Sequence, residues 1–293
     1  MTIATSEGWE AVGTIRALHG ERIFTVDAPS IGPERHPPLL VLHGFPTSSF
    51  DYAAVLDGLR AGRRVLLFDM LGYGLSEKPD VAYRLATQAD LATALVAELG
   101  IDRLSLLTHD MGDTVGGELL ARHLEGAWEM EIVERILTNG SIYIELAHLS
   151  DGQQLLLSLP DEALDAELAP DRAALMAALA ATFSPQTEAD EVELDAASRQ
   201  IVHAGGNRLL ARTIRYIEER RRHQDRYTGA IERHPSPLTV VWGRDDPIAV
   251  VEMVDRLALA RPDAVVEILD GVGHYPMVET PERFLAALPG GRA

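Results

Sequence analysis

Asp110 has the sequence context of a catalytic nucleophile. Residues 104–107 form a mostly apolar run that predicts a buried strand, and a helical pattern begins almost at once at Asp113. A strand, a sharp turn and a helix in succession form a nucleophile elbow, which exposes one side chain at the top of a parallel sheet. Ser is the usual occupant of that position. A carboxylate suits displacement at a saturated carbon better than attack on an acyl carbon, so the motif predicts that Asp110 breaks a bond between carbon and a heteroatom.

Two later motifs could supply the base that acts after such a nucleophile. Asp245 and Asp246 follow an apolar run over residues 238–243. Asp246 is the preferred orienting acid because Pro247 would fix the backbone beside it, and Asp245 is the alternative. His274 lies in a glycine-rich loop after the last predicted strand, where it is free to reach across the sheet edge. The three groups therefore follow one another in the order nucleophile, acid, histidine, which is a known chain order of a catalytic triad.

A further motif, residues 42–46, ends a strand with a glycine and could turn backbone amides towards a pocket. An oxyanion hole takes one N–H donor from such a loop and one from the residue after the nucleophile. These would be the amides of Phe45 and Met111, whose apolar side chains would also line the pocket mouth. His43 is a third candidate for substrate binding, although bracing of the loop explains it better than acid or base chemistry. A simple strand-end turn is the alternative for this motif taken alone.

The elements that would position these groups alternate between strands and helices. Short, largely apolar runs predict eight strands at residues 14–18, 22–26, 39–43, 65–69, 104–108, 136–139, 238–243 and 265–269. Helical spacing predicts helices at residues 53–59, 88–99, 113–123, 250–260 and 281–288. Strands buried on both faces and separated by helices are typical of a mostly parallel α/β sheet.

Residues 141–234 interrupt this alternation and contain no convincing strand pattern. Helical runs in this segment cover residues 152–157, 161–168, 171–183, 190–203 and 209–222. A helical block inserted after the sixth strand predicts a cap domain over the active site, with residues 1–140 and 235–293 forming the core domain.

The composition narrows the classes of partner. The 293 residues are 46% hydrophobic and 24% charged, as in globular proteins. A formal net charge of −19 argues against nucleic acid, which requires basic patches, and against anionic membranes. The absence of cysteine excludes disulfides and a Cys nucleophile. We expect no metal or cofactor and a monomer or homodimer. No signal-peptide pattern or membrane-spanning apolar run is present, so we expect a cytoplasmic location.

These motifs together resemble the epoxide hydrolase and haloalkane dehalogenase branch of the α/β-hydrolases, in which an Asp nucleophile occupies the elbow. The resemblance extends from about Gly13 to Phe284 and implies an eight-stranded, mostly parallel sheet with an all-helical cap. More narrowly, residues 43–52, 109–113 and 138–142 resemble the mesoderm-specific transcript proteins and their bacterial relatives. That subgroup supports the fold more firmly than the substrate.

The resemblance implies a two-step reaction through an ester on Asp110, and the leaving group distinguishes the two enzymes of this branch. Dehalogenases of this branch hold the halide with a Trp after the nucleophile, whereas Met111 and Phe45 have no side-chain hydrogen-bond donor. Epoxide hydrolases use cap tyrosines to protonate the substrate oxygen, and Tyr216 occupies a matching position. Tyr143 could serve as the second tyrosine, although it comes earlier than in that family. The leading prediction is a cofactor-independent epoxide hydrolase for a small hydrophobic epoxide. The alternatives are a dehalogenase-like hydrolase and a non-catalytic ligand-binding protein.

Overall fold

A computed structural model describes residues 5–291 and contains one mixed eight-stranded sheet in the order β1-β2-β4-β3-β5-β6-β7-β8. The strands are β1 (Thr14–Leu18), β2 (Glu21–Ala28), β3 (Leu39–Leu42), β4 (Val65–Phe68), β5 (Arg103–His109), β6 (Glu131–Thr138), β7 (Leu238–Gly243) and β8 (Val265–Leu269). Strand β2 runs antiparallel to both of its neighbours, and the pairs from β4 to β8 are parallel. The predicted α/β sheet and all eight predicted strands are confirmed.

The register of the central strands brings their carboxyl ends to one edge of the sheet. Leu42 of β3 pairs with Thr108 of β5, and His109 pairs with Thr138 of β6. Every residue of β3, β4 and β7 is buried, as expected for strands that helices cover on both faces. Loops that leave this edge therefore meet above the sheet, where α/β proteins bind ligands.

The core helices pack on the two faces of the sheet and follow the predicted alternation. They are α1 (Ser6–Val12), α2 (Leu56–Leu59), α3 (Leu85–Glu98), α4 (Met111–Leu124), α10 (Glu252–Ala260), α11 (Pro276–Glu279) and α12 (Pro281–Ala287). Helix α1 was not predicted, because only seven residues carry its pattern. The helix predicted at residues 53–59 is shorter, since a 3₁₀ turn over Ser49–Tyr52 precedes α2.

The segment 141–234 lies between β6 and β7 and is helical, without a strand among its residues. Its helices are α5 (Asp151–Ser158), α6 (Arg172–Ala180), α7 (Glu191–Val202), α8 (Leu210–Thr213) and α9 (Tyr216–Arg233). The predicted run 209–222 is divided between α8 and α9, and α9 continues eleven residues further. We call this segment the helical insertion, and its status as a separate cap domain stays a prediction.

The helix predicted over residues 161–168 is wrong. These residues form turns, and the backbone N–H of Leu164 donates to the carbonyl of Arg208, 2.7 Å away, instead of to a carbonyl one turn earlier. Pro160 precedes the run and Pro170 follows it, so a helix here could not extend far in either direction. Tertiary contacts with the segment before α8 therefore override the helical spacing of the apolar residues.

Candidate active site

Asp110 lies in a strained turn between β5, which ends at His109, and α4, which begins at Met111. Its backbone angles are φ 49° and ψ −113°, a combination that residues with a side chain rarely adopt. Such strain persists only where the surrounding structure enforces it, and it concentrates at functional sites. Gly112 is part of that enforcement, because a Cβ atom there would lie 2.4 Å from the carbonyl oxygen of Leu42. The close approach of α4 to β3 therefore requires glycine.

The carboxylate of Asp110 faces the loop after β3. The backbone N–H of Phe45 donates to Oδ2 of Asp110 at 2.9 Å, so one of the two proposed oxyanion donors already contacts this side chain. Met111 is the first residue of α4, where an amide has no carbonyl acceptor within its own helix. Gly44 permits this arrangement, since a Cβ atom on it would lie 2.6 Å from Cβ of Asp110.

His274 and Asp246 form a buried pair. Oδ2 of Asp246 lies 2.8 Å from Nδ1 of His274, and both side chains are almost inaccessible to solvent. Oδ1 of Asp246 accepts hydrogen bonds from the backbone amides of Ile248 and Ala249. Asp245 points elsewhere, because its carboxylate accepts a hydrogen bond from the hydroxyl of Ser184 at 2.7 Å. The structure therefore places Asp246, and not the alternative, at the histidine.

Asn139 completes this pair and was missed from the sequence. Its Nδ2 donates to Oδ2 of Asp246 at 2.7 Å, and its Oδ1 accepts from the amide of Gly243 at 3.0 Å. The residue follows β6 directly and has a positive φ of 48°, which Asn tolerates better than most residues. A polar residue directly after a buried strand was the available signal.

The environment of His274 favours its charged form. Burial lowers the pKa of the imidazole, but the charge and hydrogen bond of Asp246, together with the charges of Asp110 and Glu279, outweigh burial and raise the pKa to about 9. His274 is therefore protonated at neutral pH, chiefly because of Asp246, and Asp110 contributes to the same effect. Conversion of that carboxylate to a neutral ester would remove one of the charges that raise the pKa and would make His274 a better base.

Tyr216 lies beside Asp110 and Phe45. Its ring centroid is 5.8 Å from that of Phe45, and only 2% of the residue is exposed. Burial and the Asp110 charge both raise the pKa of its phenol, while the Arg220 charge lowers it. The hydroxyl is therefore neutral at physiological pH and is available as a proton donor near the nucleophile.

Tyr143 does not join Tyr216, contrary to the sequence-based prediction. Its hydroxyl donates to Oε1 of Glu232 at 2.8 Å, and the guanidinium of Arg256 lies 4.2 Å from its ring centroid. Burial comes first among the causes that raise the pKa of this phenol, followed by Glu232, and Asp110 is not among them. Tyr143 therefore packs the start of the helical insertion against α9 and α10. Its hydroxyl bonds to Glu232 and is not directed at Asp110.

His43 holds the loop after β3 in place. Its Nε2 accepts a hydrogen bond from the amide of Met70 at 2.9 Å, and its Nδ1 lies 2.8 Å from the carbonyl oxygen of Gly44. Burial lowers the pKa of this imidazole, which keeps it neutral. Because both ring nitrogens already have backbone partners, the structure does not support His43 as a substrate-binding residue.

A largely apolar cavity reaches His274 from the helical insertion. It has an empty volume of about 1040 Å³, part of it open to solvent, and Phe45, His274 and Tyr275 line its inner end. Leucines of the insertion line much of the remainder: Leu155, Leu156, Leu159, Leu164, Leu168, Leu175, Leu179 and Leu210. Met111 is not among the lining residues, since its side chain is buried and its sulfur lies 3.3 Å from the hydroxyl of Tyr73. The predicted contact of Met111 with substrate is therefore limited to its amide.

Residues 39–287 match the alpha/beta hydrolase family. The chain belongs to the alpha/beta hydrolase family. It is 39% identical to the putative hydrolase LipZ of Mycobacterium tuberculosis over 87% of this chain and 88% of LipZ. It is also 33% identical to the mesoderm-specific transcript homolog protein of Homo sapiens, over 96% of this chain and 86% of that protein. The expected resemblance to this subgroup is confirmed.

A solved alpha/beta hydrolase structure agrees with the architecture. Haloalkane dehalogenase DbeA from Bradyrhizobium elkani superimposes with a TM-score of 0.76 and 22% identity, covering 95% of this chain and 96% of the dehalogenase. At that identity the match concerns the fold alone. The comparisons together support a hydrolase of this superfamily that acts on a small molecule with water.

Two kinds of feature are absent from residues 5–291. Within residues 5–291, no helix has the length and apolar character needed to cross a membrane. Among the same residues, no group of three or more His, Asp or Glu side chains is arranged to hold a metal ion.

Proposed function

We propose that this alpha/beta hydrolase is an epoxide hydrolase that converts a hydrophobic epoxide to a vicinal diol. One observation carries the proposal: the buried phenol of Tyr216 packs beside Phe45, whose amide donates to the carboxylate of Asp110. The nucleophile and a neutral proton donor therefore both contact Phe45. Epoxide opening requires that combination, because an alkoxide develops as the ring opens.

The first step would form an ester. An oxygen of Asp110 attacks a ring carbon, the carbon–oxygen bond breaks, and its electron pair moves to the epoxide oxygen. The hydroxyl proton of Tyr216 passes to that oxygen and leaves a phenolate. The start of α4 directly after Asp110 favours the anionic form of the nucleophile, since helix N-termini stabilise negative charge.

The second step would release the diol. The imidazolium of His274 first returns a proton to the Tyr216 phenolate. The neutral imidazole then removes a proton from water, which attacks the ester carbonyl on Asp110. The tetrahedral oxyanion would accept hydrogen bonds from the amides of Phe45 and Met111. Collapse restores the carboxylate and releases the alcohol, and His274 is left as the imidazolium that it is at rest. Protons and electrons therefore balance over the cycle without a cofactor.

A dehalogenase-like reaction is the second candidate, because it too would begin with displacement at a saturated carbon by the Asp110 carboxylate. The side chains of Phe45 and Met111 oppose it, because neither can donate a hydrogen bond to a departing halide. The indole nitrogen of Trp242 is also engaged, donating to the carbonyl of Ala249 at 2.8 Å. A non-catalytic ligand-binding role would leave the strained Asp110 and the pair of Asp246 with His274 without a purpose.

The apolar cavity supports a hydrophobic substrate. Its leucines would hold the alkyl or aryl part of the molecule, and the reacting end would lie towards His274 and Phe45, whose amide donates to Asp110. We propose that the helical insertion acts as a cap domain, since it supplies both this lining and Tyr216.

A single turnover in ¹⁸O-labelled water tests the covalent route. With enzyme in excess over an aliphatic epoxide, we expect the first diol to be unlabelled and the label to appear in the Asp110 carboxylate. Label in the first diol would instead mean direct attack of water on the epoxide. A panel of epoxides and haloalkanes, scored for diol and halide, decides between the two candidate reactions.

The His274→Ala variant offers a second test of the same proposal. Without its base, the ester on Asp110 should accumulate and raise the protein mass by that of the epoxide. An unmodified protein, with a substrate that the unaltered enzyme turns over, would remove His274 from the second step.

A further inference from the structure

Arg220 is a buried cation without a counterion. Only 1% of the residue is exposed, and it lies on α9 one turn after Tyr216. Its Nε donates to the hydroxyl of Thr114 at 2.7 Å, and its Nη1 donates to the carbonyl of Ser141 at 2.9 Å. Among residues 5–291, no carboxylate forms a salt bridge with it, and its Nη2 has no hydrogen-bond partner.

Burial of an unpaired guanidinium destabilises the folded chain, so a functional role for the charge would explain why it is there. An unpaired ion that leaves water loses several kcal/mol of hydration, and neutral hydrogen-bond acceptors recover only part of it. Asp113 interacts with this charge without a hydrogen bond to it: burial raises the pKa of Asp113 well above its usual range, and the Arg220 charge opposes that shift. Asp113 also has an oxygen, Oδ2, without a partner. In the described residues the guanidinium therefore has no hydrogen-bonded carboxylate, and its Nη2 has no partner.

Tyr216 is the group on which this charge can act. The guanidinium carbon of Arg220 lies 5.0 Å from the centroid of the Tyr216 ring. A phenol is neutral at rest, so the interaction is then only that of a cation with an aromatic face. If the phenol loses its proton, the guanidinium lies close to a phenolate of opposite charge, and both side chains are buried, where electrostatic interactions are stronger than in water.

We propose that Arg220 is a positioning residue that stabilises the Tyr216 phenolate formed when the epoxide opens. This inference rests on the proposed function, in which the Tyr216 proton passes to the epoxide oxygen. The negative charge that develops on the phenol is then paired with the guanidinium until the proton returns. The charge on Arg220 therefore lowers the barrier to ester formation and has no role in hydrolysis of the ester.

The contacts of Arg220 also fix the orientation of Tyr216. Thr114 belongs to α4, which begins directly after Asp110, and Ser141 lies just beyond β6. Through these two hydrogen bonds, Arg220 ties the helix that carries the proton donor to the elements that carry the nucleophile and Asn139. Burial and the Asp110 charge raise the pKa of Tyr216, whereas the Arg220 charge lowers it. A lowered pKa means a more stable phenolate, as the proposal requires.

The test measures the two chemical steps separately. Rapid-quench mass spectrometry with a terminal aliphatic epoxide gives the rate at which the ester on Asp110 forms and the rate at which it is hydrolysed. In Arg220→Met we expect ester formation to slow roughly tenfold or more, with hydrolysis of the ester within about twofold of the unaltered enzyme. Arg220→Lys retains the charge and should recover most of the lost rate.

Two further variants control the interpretation. Arg221→Met removes the same charge from the next, exposed position of α9 and should leave both rates unchanged. If Arg220→Met does not fold, Arg220→Gln provides a neutral side chain that can still donate to Thr114 and Ser141, and its comparison with Arg220→Lys isolates the charge.

Two results would overturn the inference, and they differ in what they remove. Equal slowing of both steps in Arg220→Met or Arg220→Gln, or no recovery in Arg220→Lys, would reduce Arg220 to a structural role and leave the proposed function intact. If the unaltered enzyme forms no ester on Asp110 with any epoxide of the panel, the proposed function fails and the inference fails with it.

Discussion

Oδ2 of Asp246 lies 2.8 Å from Nδ1 of His274, although 28 positions separate the two residues in the chain. Two parallel strands, β7 and β8, deliver the carboxylate and the imidazole to the same edge of the sheet. The pair orients the ring and stabilises its charged form, which is what a base that takes a proton from water requires.

The first prediction concerns Asp246→Asn. This substitution preserves shape but removes the charge, and the amide can present a donor where Nδ1 of His274 needs an acceptor. We expect hydrolysis of the ester on Asp110 to slow by roughly three to four orders of magnitude, as carboxylate-to-amide changes do in other triads. Single-turnover kinetics of ester decay measure this. Asp245→Asn is the matched control, and an equal loss there would contradict the assignment of Asp246.

The second prediction separates the two tyrosines. Tyr216→Phe removes the proposed proton donor and should slow ester formation by roughly 10²–10⁴-fold. Tyr143→Phe removes only the hydrogen bond to Glu232, so we expect ester formation near the unaltered rate and a loss of about 1 kcal/mol in the free energy of unfolding. Initial ester formation and urea unfolding measure the two effects. Comparable rates in both variants would exclude Tyr216 as the donor.

The third prediction links His274 to the pH dependence of stability. Burial opposes the charged imidazole, but Asp246 and Asp110 raise the pKa of His274 from 6.5 to about 9 in the folded chain. A pKa raised by folding means that this stabilisation is fully present below pH 6.5 and is lost as the pH rises towards about 9. Urea unfolding across this range should show a smaller decline for His274→Asn than for the unaltered protein. Parallel curves would count against a charged His274 in the resting site.

Other groups titrate in the same range, so the comparison between the two proteins matters more than either curve. Burial raises the pKa of Glu193 to about 7 and lowers that of Lys78 to about 8. Both residues are present in both proteins, and their contributions cancel in the difference.

The fourth prediction concerns the glycine next to the elbow. In Gly112→Ala the new methyl group would lie 2.4 Å from the carbonyl oxygen of Leu42, and backbone cannot move as a side chain does. We expect the free energy of unfolding to fall by about 1–3 kcal/mol. Gly152→Ala, on the exposed face of α5, has 3.8 Å to its nearest neighbour and should stabilise the chain slightly. Thermal unfolding that leaves Gly112→Ala unchanged would show that α4 does not pack this closely.

The fifth prediction addresses the cavity. Leu156→Gln places a polar group in its wall, so KM for aliphatic epoxides should rise roughly tenfold with little change in kcat, because the loss affects binding in the ground and transition states alike. Leu259→Gln is the control, since that leucine is 86% exposed on α10 and does not line the cavity. A KM that stays constant would place the substrate elsewhere.

Local patterns in the sequence were enough for the strands, for the elbow around Asp110 and for the choice of Asp246 and His274 as its partners. Apolar runs that are buried on both faces depend only on neighbouring residues, and the eight strands follow from them. The position of Asp110 depends on a strand, a turn and a helix in succession, which is also a local property.

Tertiary structure decided the rest, because those features depend on contacts between residues far apart in the chain. Asn139 is hydrogen-bonded to Asp246, 107 positions later in the chain, and Tyr143 is hydrogen-bonded to Glu232, 89 positions later. Residues 161–168 carry helical spacing but bond to the segment before α8 instead. Arg220 looked like one basic residue among several on α9, and only packing against Thr114 and Tyr216 removes its charge from water. The spacing of apolar residues predicts which face of a helix or strand is buried, but it does not predict which residues that face will contact.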